Sequence, residues 1–225
     1  FLVRWFSDMR LISSLFSIPI SRWAKLLAGL ACIGIGIAFT KQANLGLGPW
    51  DVLNDGVAQL TGIQLGAASI VVGALVLLLW IPIREKPGVG TVTNVVLIGA
   101  FMDVALVVVR SASGVLLQSV WLIAGLLLIG LGSVLYLGSQ LGAGPRDGLM
   151  LGLSRKTGWS LHLSRTALEI SVLVAGWFLG GAVGVGTVLI ALTIGPVIQF
   201  MSRMIGEELG RANRSTVNVQ GCCSY

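Results

Sequence analysis

LGLGPWDVLNDG at residues 45–56 and LGAGPRDGLMLG at residues 141–152 are two versions of one phrase, 96 positions apart. Further matches occur at the same offset: LxAGLxxIGxG at 26–36 returns at 122–132, and GVGTV at 88–92 returns at 184–188. Chance similarity between two apolar segments involves mainly Leu and Val, whereas Gly, Pro, Asp and Thr carry much of the similarity here. The sequence therefore predicts an internal duplication.

The composition places the chain in a membrane. Charged residues make up 11% of the sequence and hydrophobic residues 55%, whereas soluble domains have about 25% charged residues. Such a chain cannot cover a soluble surface, so we predict an integral membrane protein whose partner is the lipid bilayer. The net charge of +6 comes from residues scattered at the ends of apolar runs. They form no basic stripe, so no nucleic-acid partner is expected.

Six apolar runs are long enough to cross a bilayer, which takes about 20 residues. The segments 49–61 and 146–158 lie between spans and are too short and polar to cross, so each fits a short re-entrant or interfacial helix. We therefore predict an all-α membrane protein of six transmembrane helices in two three-helix repeats, each with one short helix. The predicted spans are 22–41, 64–83, 91–110, 116–137, 160–180 and 186–206.

Because each repeat has an odd number of spans, the second repeat must start from the opposite side of the bilayer, which makes an inverted-topology repeat. Basic residues favour cytoplasmic N- and C-termini, since this orientation leaves only Lys41 and Arg110 outside. It also places Trp23, Trp80 and Trp159 at the cytoplasmic interface and Trp50, Trp121 and Trp177 at the outer one. The predicted organisation is a cytoplasmic N-terminal segment 1–21, a first repeat 22–110, a loop 111–115, a second repeat 116–206 and a cytoplasmic tail 207–225.

The Gly-Pro-x-Asp phrase is typical of a helix start. Pro49 and Pro145 suit the first helical position, where the missing N–H would have no partner anyway. Asp51 and Asp147 then meet the positive end of the helix dipole. This structural role accounts for the residues without a ligand. The alternative is that the two short helices point at a shared cavity, where both acids contact a cation, a proton or a polar substrate; paired interruptions in two halves indicate such sites.

Two further acids lie within predicted spans, where an ionisable group is costly and usually faces protein or water. Asp103 in the third span is a candidate substrate or ion site. Glu169 in the fifth span follows Arg165 by four residues, which fits a structural ion pair as well as a site. Neither acid is duplicated, because Gln199 and Gly73 stand at the matching positions.

Three uncharged polar residues complete the candidate substrate or ion site. Asn94 lies in the same span as Asp103 and fits either a cavity lining or a hydrogen bond between helices. Thr91 and Thr187 occupy matching places in the repeated GVGT phrase. They fit helix caps as well as site residues.

No motif for catalysis is present in the sequence. His162 is the single histidine and fits an interfacial residue, without the Ser and Asp partners of a catalytic triad or the clustered ligands of a metal site. We therefore expect no enzyme activity, no cofactor and no metal. Cys222 and Cys223 fit reduced thiols, or acylated ones if they lie near the cytoplasmic face.

LGLGPWDVLNDG and WIPIREKPGVGTVTNVVLIGAFMD at 80–103 resemble the YczE-like integral membrane proteins of bacteria, a group related more loosely to the YitT proteins. The resemblance covers residues 25–205 and implies a multi-span protein of the bacterial plasma membrane, without implying an activity. The second half departs from the pattern at Arg146 and Ile190, which argues against a strictly symmetric site. The signature falls on Pro49, Trp50, Asp51, Trp80, Pro82, Arg84, Pro87, Gly88, Gly90, Thr91, Asn94 and Asp103.

Two hypotheses for function follow. The first is a secondary transporter of a small polar solute or ion, with its site at the repeat interface; it predicts a water-accessible cavity containing Asp51, Asp147 or Asp103. The second is a non-transporting partner, regulatory or accessory protein, with assembly into a homo-oligomer as one form. It predicts a packed core and an apolar groove on the lipid side. We favour transport, because paired broken segments and intramembrane acids are typical of transporters.

Overall fold

The computed structural model describes residues 19–83, 85 and 87–205, and this part of the chain contains eight helices and no strand. The predicted terminal segments fall largely outside the described residues, as do Arg84, Cys222 and Cys223. Each predicted span and short helix corresponds to one observed helix, with ends within a few residues. The helices are α1 (Ile20–Gln42), α2 (Pro49–Thr61), α3 (Leu65–Ile83), α4 (Val89–Val108), α5 (Val115–Gly138), α6 (Pro145–Thr157), α7 (Leu161–Phe178) and α8 (Val185–Ile205).

Five of the helices in the described part are long and apolar enough to cross a membrane: α1, α3, α4, α5 and α8. The helix α7 corresponds to the predicted fifth span and has 18 residues, but it is not among those five. Its sequence LHLSRTALEISVLVAGWF carries His, Arg and Glu within its first nine residues. These side chains lower its apolar character, so α7 differs in kind from the other long helices.

Helices α1 and α5 form the centre of the molecule, and glycines bring their backbones together. A Cβ on Gly29 would lie 2.8 Å from the Gly132 carbonyl oxygen, and one on Gly36 would lie 2.8 Å from the Gly125 oxygen. Residue numbers rise along α1 as they fall along α5, so the two helices are antiparallel. Each glycine also faces the repeat counterpart of the other, because 29 and 36 match 125 and 132 at the offset of 96.

The two short helices cross between the halves. Helix α2 packs on α7, where a Cβ on Gly176 would lie 2.5 Å from the Leu53 nitrogen. Helix α6 packs on α3, where Gly148 makes room for the Trp80 ring, and the Trp80 indole N–H donates to the Pro145 carbonyl oxygen at 3.0 Å. Each short helix is thereby fixed to a long helix of the other half.

Matching turns hold the start of each short helix. The Leu45 carbonyl oxygen accepts from the Gly186 N–H at 2.7 Å, and the Leu141 oxygen accepts from the Gly90 N–H at 2.9 Å. Gly46 and Gly142 next to them have φ values of +110° and +130°, a region that favours glycine. The duplicated glycines in the opening phrase are therefore required by backbone geometry.

The two halves differ in how closely one pair of helices packs. In the first half, α3 and α4 pack closely: a Cβ on Gly66 would lie 2.1 Å from the Gly99 oxygen, and one on Gly73 would lie 2.9 Å from the Val95 side chain. In the second half, α7 and α8 make almost no contact, and a Cβ on Gly195, the counterpart of Gly99, would meet nothing within 4 Å. A gap therefore separates α7 from α8.

The prediction that Trp50 and Trp80 lie in aromatic belts at the membrane interfaces is wrong. Trp80 is 2% exposed and Trp50 is 9% exposed, and both belong to the apolar cluster between α2, α3 and α6. Their surroundings are protein rather than lipid headgroups. Trp159 and Trp177, in contrast, are exposed, as an interfacial position requires.

Candidate functional site

A cavity of about 370 Å³ lies between the two halves. Its volume is near the lower end of the range for small-molecule sites, about 300–1,000 Å³. Both short helices contribute their first turns to its lining, and the walls come from α1, α3, α4, α5, α7 and α8. The polar and charged lining residues are Asp51, Asn54, Ser69, Asn94, Ser133, Tyr136, Arg146, Asp147, Arg165 and Glu169.

Helix starts position the two acids. Pro49 and Pro145 each occupy the beginning of a short helix, after Gly48 and Gly144 in the same extended conformation. The acids therefore take the third helical position, as the sequence predicted. Asp51 and Asp147 then enter one cavity from opposite halves.

Asp51 makes polar contacts in both halves. Its Oδ1 accepts from the Asn54 amide at 3.4 Å and from an Arg146 guanidinium nitrogen at 3.4 Å. The Arg146 guanidinium also lies over the Trp50 ring, 5.2 Å from its centroid, a distance suited to a cation–π contact. Trp50 and Arg146 are repeat counterparts, so the contact joins equivalent positions.

Asp147 has a different environment. Its surface is open to the cavity, and no ion pair with it is found in the described part of the chain. Tyr136 lies nearby, where its hydroxyl donates to the Gly142 carbonyl oxygen at 2.9 Å. Asp147 is therefore the more accessible of the two acids, since Asp51 is only 6% exposed.

Desolvation acts on both carboxyl groups, which lie in the short helices outside the candidate spans. Burial raises the pKa of Asp51 above its usual value, and the charge and hydrogen bond of Arg146 oppose this shift. Burial also raises the pKa of Asp147, against the charges of Arg146 and Arg165 and a hydrogen bond from the Gly144 backbone. Because Asp147 faces the cavity, water there screens part of the effect.

Two more predicted residues share the cavity. Glu169 accepts from the Arg165 side-chain N–H at 3.0 Å, which confirms the predicted i,i+4 pair, and both residues line the cavity. Asn94 lines the α4 wall. The structure thus brings together Asp51, Asp147, Asn94 and Glu169.

The other three predicted site residues do not line this cavity. Asp103 accepts from the backbone N–H groups of Gly66 and Ala67, at 2.6 and 3.1 Å, and so caps the start of α3. Thr91 and Thr187 accept from the Gly88 and Gly184 N–H groups, both at 3.1 Å. These contacts are the capping role that the sequence offered as the alternative for the threonines.

Sequence reasoning missed Arg146 and Arg165 as lining residues of the cavity. Arg146 was recognised only as a departure from the repeat pattern, opposite Trp50. Its position in the repeat was nevertheless a signal, because counterpart residues of short helices from two halves meet near the axis that relates them. Asn54 was a second signal, because it lies one helical turn after Asp51 and is therefore its neighbour on the helix surface.

Among residues 19–83, 85 and 87–205, no cluster of three or more His, Cys, Asp or Glu side chains is arranged to hold a metal ion. The arrangement instead offers accessible charges of both signs beside apolar walls, which suits a small charged or dipolar solute.

Comparison with known proteins assigns the family. The family model described as a family of unknown function, DUF6198, matches residues 20–203. The chain belongs to the DUF6198 family. An uncharacterized protein of Haemophilus influenzae is 37% identical to this DUF6198 protein over 86% of the chain and 88% of its own length. The uncharacterized membrane protein YczE of Bacillus subtilis is 35% identical over 80% of the chain and 84% of its own length, which confirms the predicted resemblance.

A more distant relative of this DUF6198 protein is the uncharacterized protein YyaS of Bacillus subtilis, which is 26% identical over 83% of the chain and 94% of its own length. No solved structure matches. Together with the apolar helices, the relationship to YczE identifies the DUF6198 chain as an integral membrane protein.

Proposed function

We propose that this protein is a secondary transporter of a small solute with a polar or charged group, bound at the interface between two halves of the chain. One observation carries the proposal. Each half sends a short Gly-Pro helix into the same cavity and places one acid there, Asp51 or Asp147. Interrupted segments in corresponding parts of two repeats mark substrate sites in many transporter folds.

The proposal includes an inverted-topology repeat. It is supported by the antiparallel packing of α1 on α5 through paired glycines and by the matching hydrogen bonds of Leu45 and Leu141. In this arrangement α7 is the fifth of six spans, and its polar side lines the cavity. We also propose cytoplasmic N- and C-termini in a bacterial plasma membrane, on the basis of the distribution of basic residues.

The charged groups in the cavity suit the binding of a solute. Two arginines and three carboxylates line the cavity, with no histidine, cysteine or serine–base pair among these charged residues. We therefore keep the proposal that the protein is not an enzyme. A proton or cation taken up by Asp51 or Asp147 is the natural coupling species.

A ligand screen with the purified protein tests this proposal. Thermal unfolding is measured against ions, amino acids, sugars and organic acids at pH 5–8. A ligand at 100 times its dissociation constant stabilises the folded state by about 2.7 kcal/mol. We expect a hit that stabilises the wild type but not Asp147→Asn, followed by uptake of that compound into proteoliposomes.

Asp103→Asn is the matched control for this screen. The substitution changes an acid of the same type outside the cavity, so the variant is expected to be less stable and yet to keep the ligand response. A response lost equally in both acid variants, or no response and no uptake across the panel, would contradict transport.

The second candidate function is a non-transporting membrane partner. The gap between α7 and α8 is the observation that favours it, since a helix of another protein or of a second copy would fit between them. A stable complex purified from membranes, together with a screen in which no compound stabilises the protein, would select this alternative.

A further inference from the structure

The gap between α7 and α8 is specified by the sequence. In α3, Gly66 and Gly73 pack on α4, and Ser69 lines the cavity. The matching positions of α7 are His162, Glu169 and Arg165, respectively. His162 and Glu169 therefore stand at the two positions where glycine allows close packing of α3 on α4 in the first half. Closing α7 onto α8 in the same way would require burying them against α8.

The two walls of the gap have opposite chemistry. The Arg165 and Glu169 side chains on α7 are 50% and 32% exposed, and His162 is exposed as well. On α8, the cavity is lined by Ile190, Ile194 and Ile198, which repeat every four residues and so share one helix face. One wall is polar and the other is aliphatic.

The gap is continuous with the cavity. Leu168 and Glu169 of α7 and the three isoleucines of α8 all line the cavity, while α7 and α8 barely touch. The outer face of α8 is apolar and exposed, with Leu192 at 70% and Val188 at 58%, as expected where a helix meets lipid. The cavity therefore has an opening on its side, toward the bilayer.

The part of the cavity lined by the start of α6 carries both charge signs in accessible form. The Arg146 side chain is 42% exposed and its nearest carboxylate oxygen is 3.4 Å away, and Asp147 next to it is open to the cavity without an ion pair in the described part of the chain. A group with one positive and one negative charge would complement this pair. A volume of about 370 Å³ has room for about a dozen waters, which is too small for a whole lipid.

We propose that the cavity takes the zwitterionic head of an amphiphile, whose hydrocarbon part extends through the gap between α7 and α8 into the bilayer. The inference rests on the proposed function and gives its substrate class. The zwitterionic head lies against Arg146 and Asp147. The hydrocarbon part lies along the α8 isoleucines, and the polar wall of α7 borders the route by which the head enters.

Three probes test this assignment on the full chain in uncharged maltoside micelles. Dodecylphosphocholine carries head and chain, phosphocholine carries the head alone, and dodecanol carries the chain alone. Thermal stabilisation and competition against radiolabelled dodecylphosphocholine both report the affinity of each probe. We expect the affinity of the complete amphiphile to be at least tenfold higher than that of either part. Dodecyl phosphate and dodecyltrimethylammonium, with one charge each, are expected to bind several-fold more weakly.

Matched variants locate the site. Ile194→Trp places a large side chain in the gap, whereas Leu192→Trp places the same side chain on the outer face of α8. We expect at least a tenfold loss of dodecylphosphocholine binding in the first variant and unchanged binding in the second. Arg146→Gln is expected to remove the preference for the zwitterionic head while dodecanol binding stays the same.

Several results would overturn the inference. If phosphocholine binds as tightly as dodecylphosphocholine, the hydrocarbon part contributes nothing to binding. The transporter proposal would then stand with a water-soluble solute. If dodecanol binds as tightly as dodecylphosphocholine, the zwitterionic head contributes nothing to binding. Equal loss or no loss in both tryptophan variants would place the binding elsewhere. Absence of amphiphile binding, with His162→Cys cross-linking between two copies, would assign the gap to a protein interface.

Discussion

Helix pairs α3–α4 and α7–α8 occupy matching places at the sequence offset of 96 residues, yet one is a sealed seam and the other an open gap. The seam depends on Gly66, Gly73 and Gly99, which allow backbone contact. At the matching positions of α7 and α8 only Gly195 remains, and His162 and Glu169 replace the other two glycines. Gly195 thus makes no close contact, although its counterpart Gly99 packs against Gly66.

The largest effect is expected when the seam is broken. Gly66→Ala introduces a Cβ about 2 Å from the Gly99 oxygen, so α3 and α4 must separate, and the free energy of unfolding should fall by about 3 kcal/mol. Unfolding by SDS in mixed micelles measures it. Gly195→Ala is the control, because its Cβ meets no residue of another helix, although the following Pro196 ring offsets the usual gain from alanine in a helix; a much smaller change is expected. Equal losses in both variants would contradict the comparison.

A second effect concerns the start of α3. Asp103→Ala leaves the Gly66 and Ala67 N–H groups without their acceptor, and the loss of such a cap costs about 1–2 kcal/mol. The same SDS titration reports it. Gln199→Ala, at the matching position of α8, should be nearly neutral because Gln199 is exposed. A large loss from Gln199→Ala would mean that the gap is closed in micelles.

The two halves also differ in how they hold their acids, and pH sharpens this difference. Burial raises the pKa of Asp51 in the folded protein, so the folded state holds the proton more tightly than the unfolded state does. The resulting stability is complete below the unfolded pKa of about 3.9 and is lost as pH rises through the raised pKa. The decrease is at most about 1.4 kcal/mol per pH unit.

Asp51→Asn should remove this slope, so the stability of the variant relative to the wild type should increase with pH over that range. Thermal unfolding in detergent between pH 4 and 8 measures the difference. Asp147→Asn, which replaces a more solvated acid, should give a shallower change of the same sign. A difference that falls with pH would mean that Arg146 dominates over burial.

The smallest effect is expected in the gap itself. Glu169→Gln removes the ion pair with Arg165, whose side chain is half exposed, and exposed i,i+4 pairs contribute about 0.3–0.5 kcal/mol. The free energy of unfolding should therefore change by less than about 0.5 kcal/mol in the SDS titration. A loss of several kcal/mol would show that Glu169 supports α7 in a way that the open gap does not explain.

Much of this architecture could be predicted from the sequence. Hydrophobic run length set the long helices, and the Gly-Pro-x-Asp phrase set the beginnings of α2 and α6 to within a residue. The pairing of Asp51 with Asp147 in one cavity followed from their matching places in the two halves. These predictions rest on local chemistry and on the repeat, both of which are visible in the printed sequence.

The remaining features depend on contacts that spacing does not reveal. Asp103 reaches backbone N–H groups more than 30 residues earlier in the chain, so its capping role has no local signature. Trp80 is buried because Gly148 of the other half leaves room for its ring. The open gap, in contrast, was legible in principle: positions 66, 69 and 73 compared with 162, 165 and 169 show three small residues replaced by His, Arg and Glu.

The contact of Trp50 with Arg146 joins unlike side chains at matching places of the two halves. Equivalent residues meet at this point, so a homodimer built from one unduplicated half would place Trp against Trp or Arg against Arg. Two guanidinium groups in that position would repel each other, whereas Trp with Arg attracts. A single chain that contains both halves fixes the unlike pairing. Separately expressed halves should therefore assemble one of each kind.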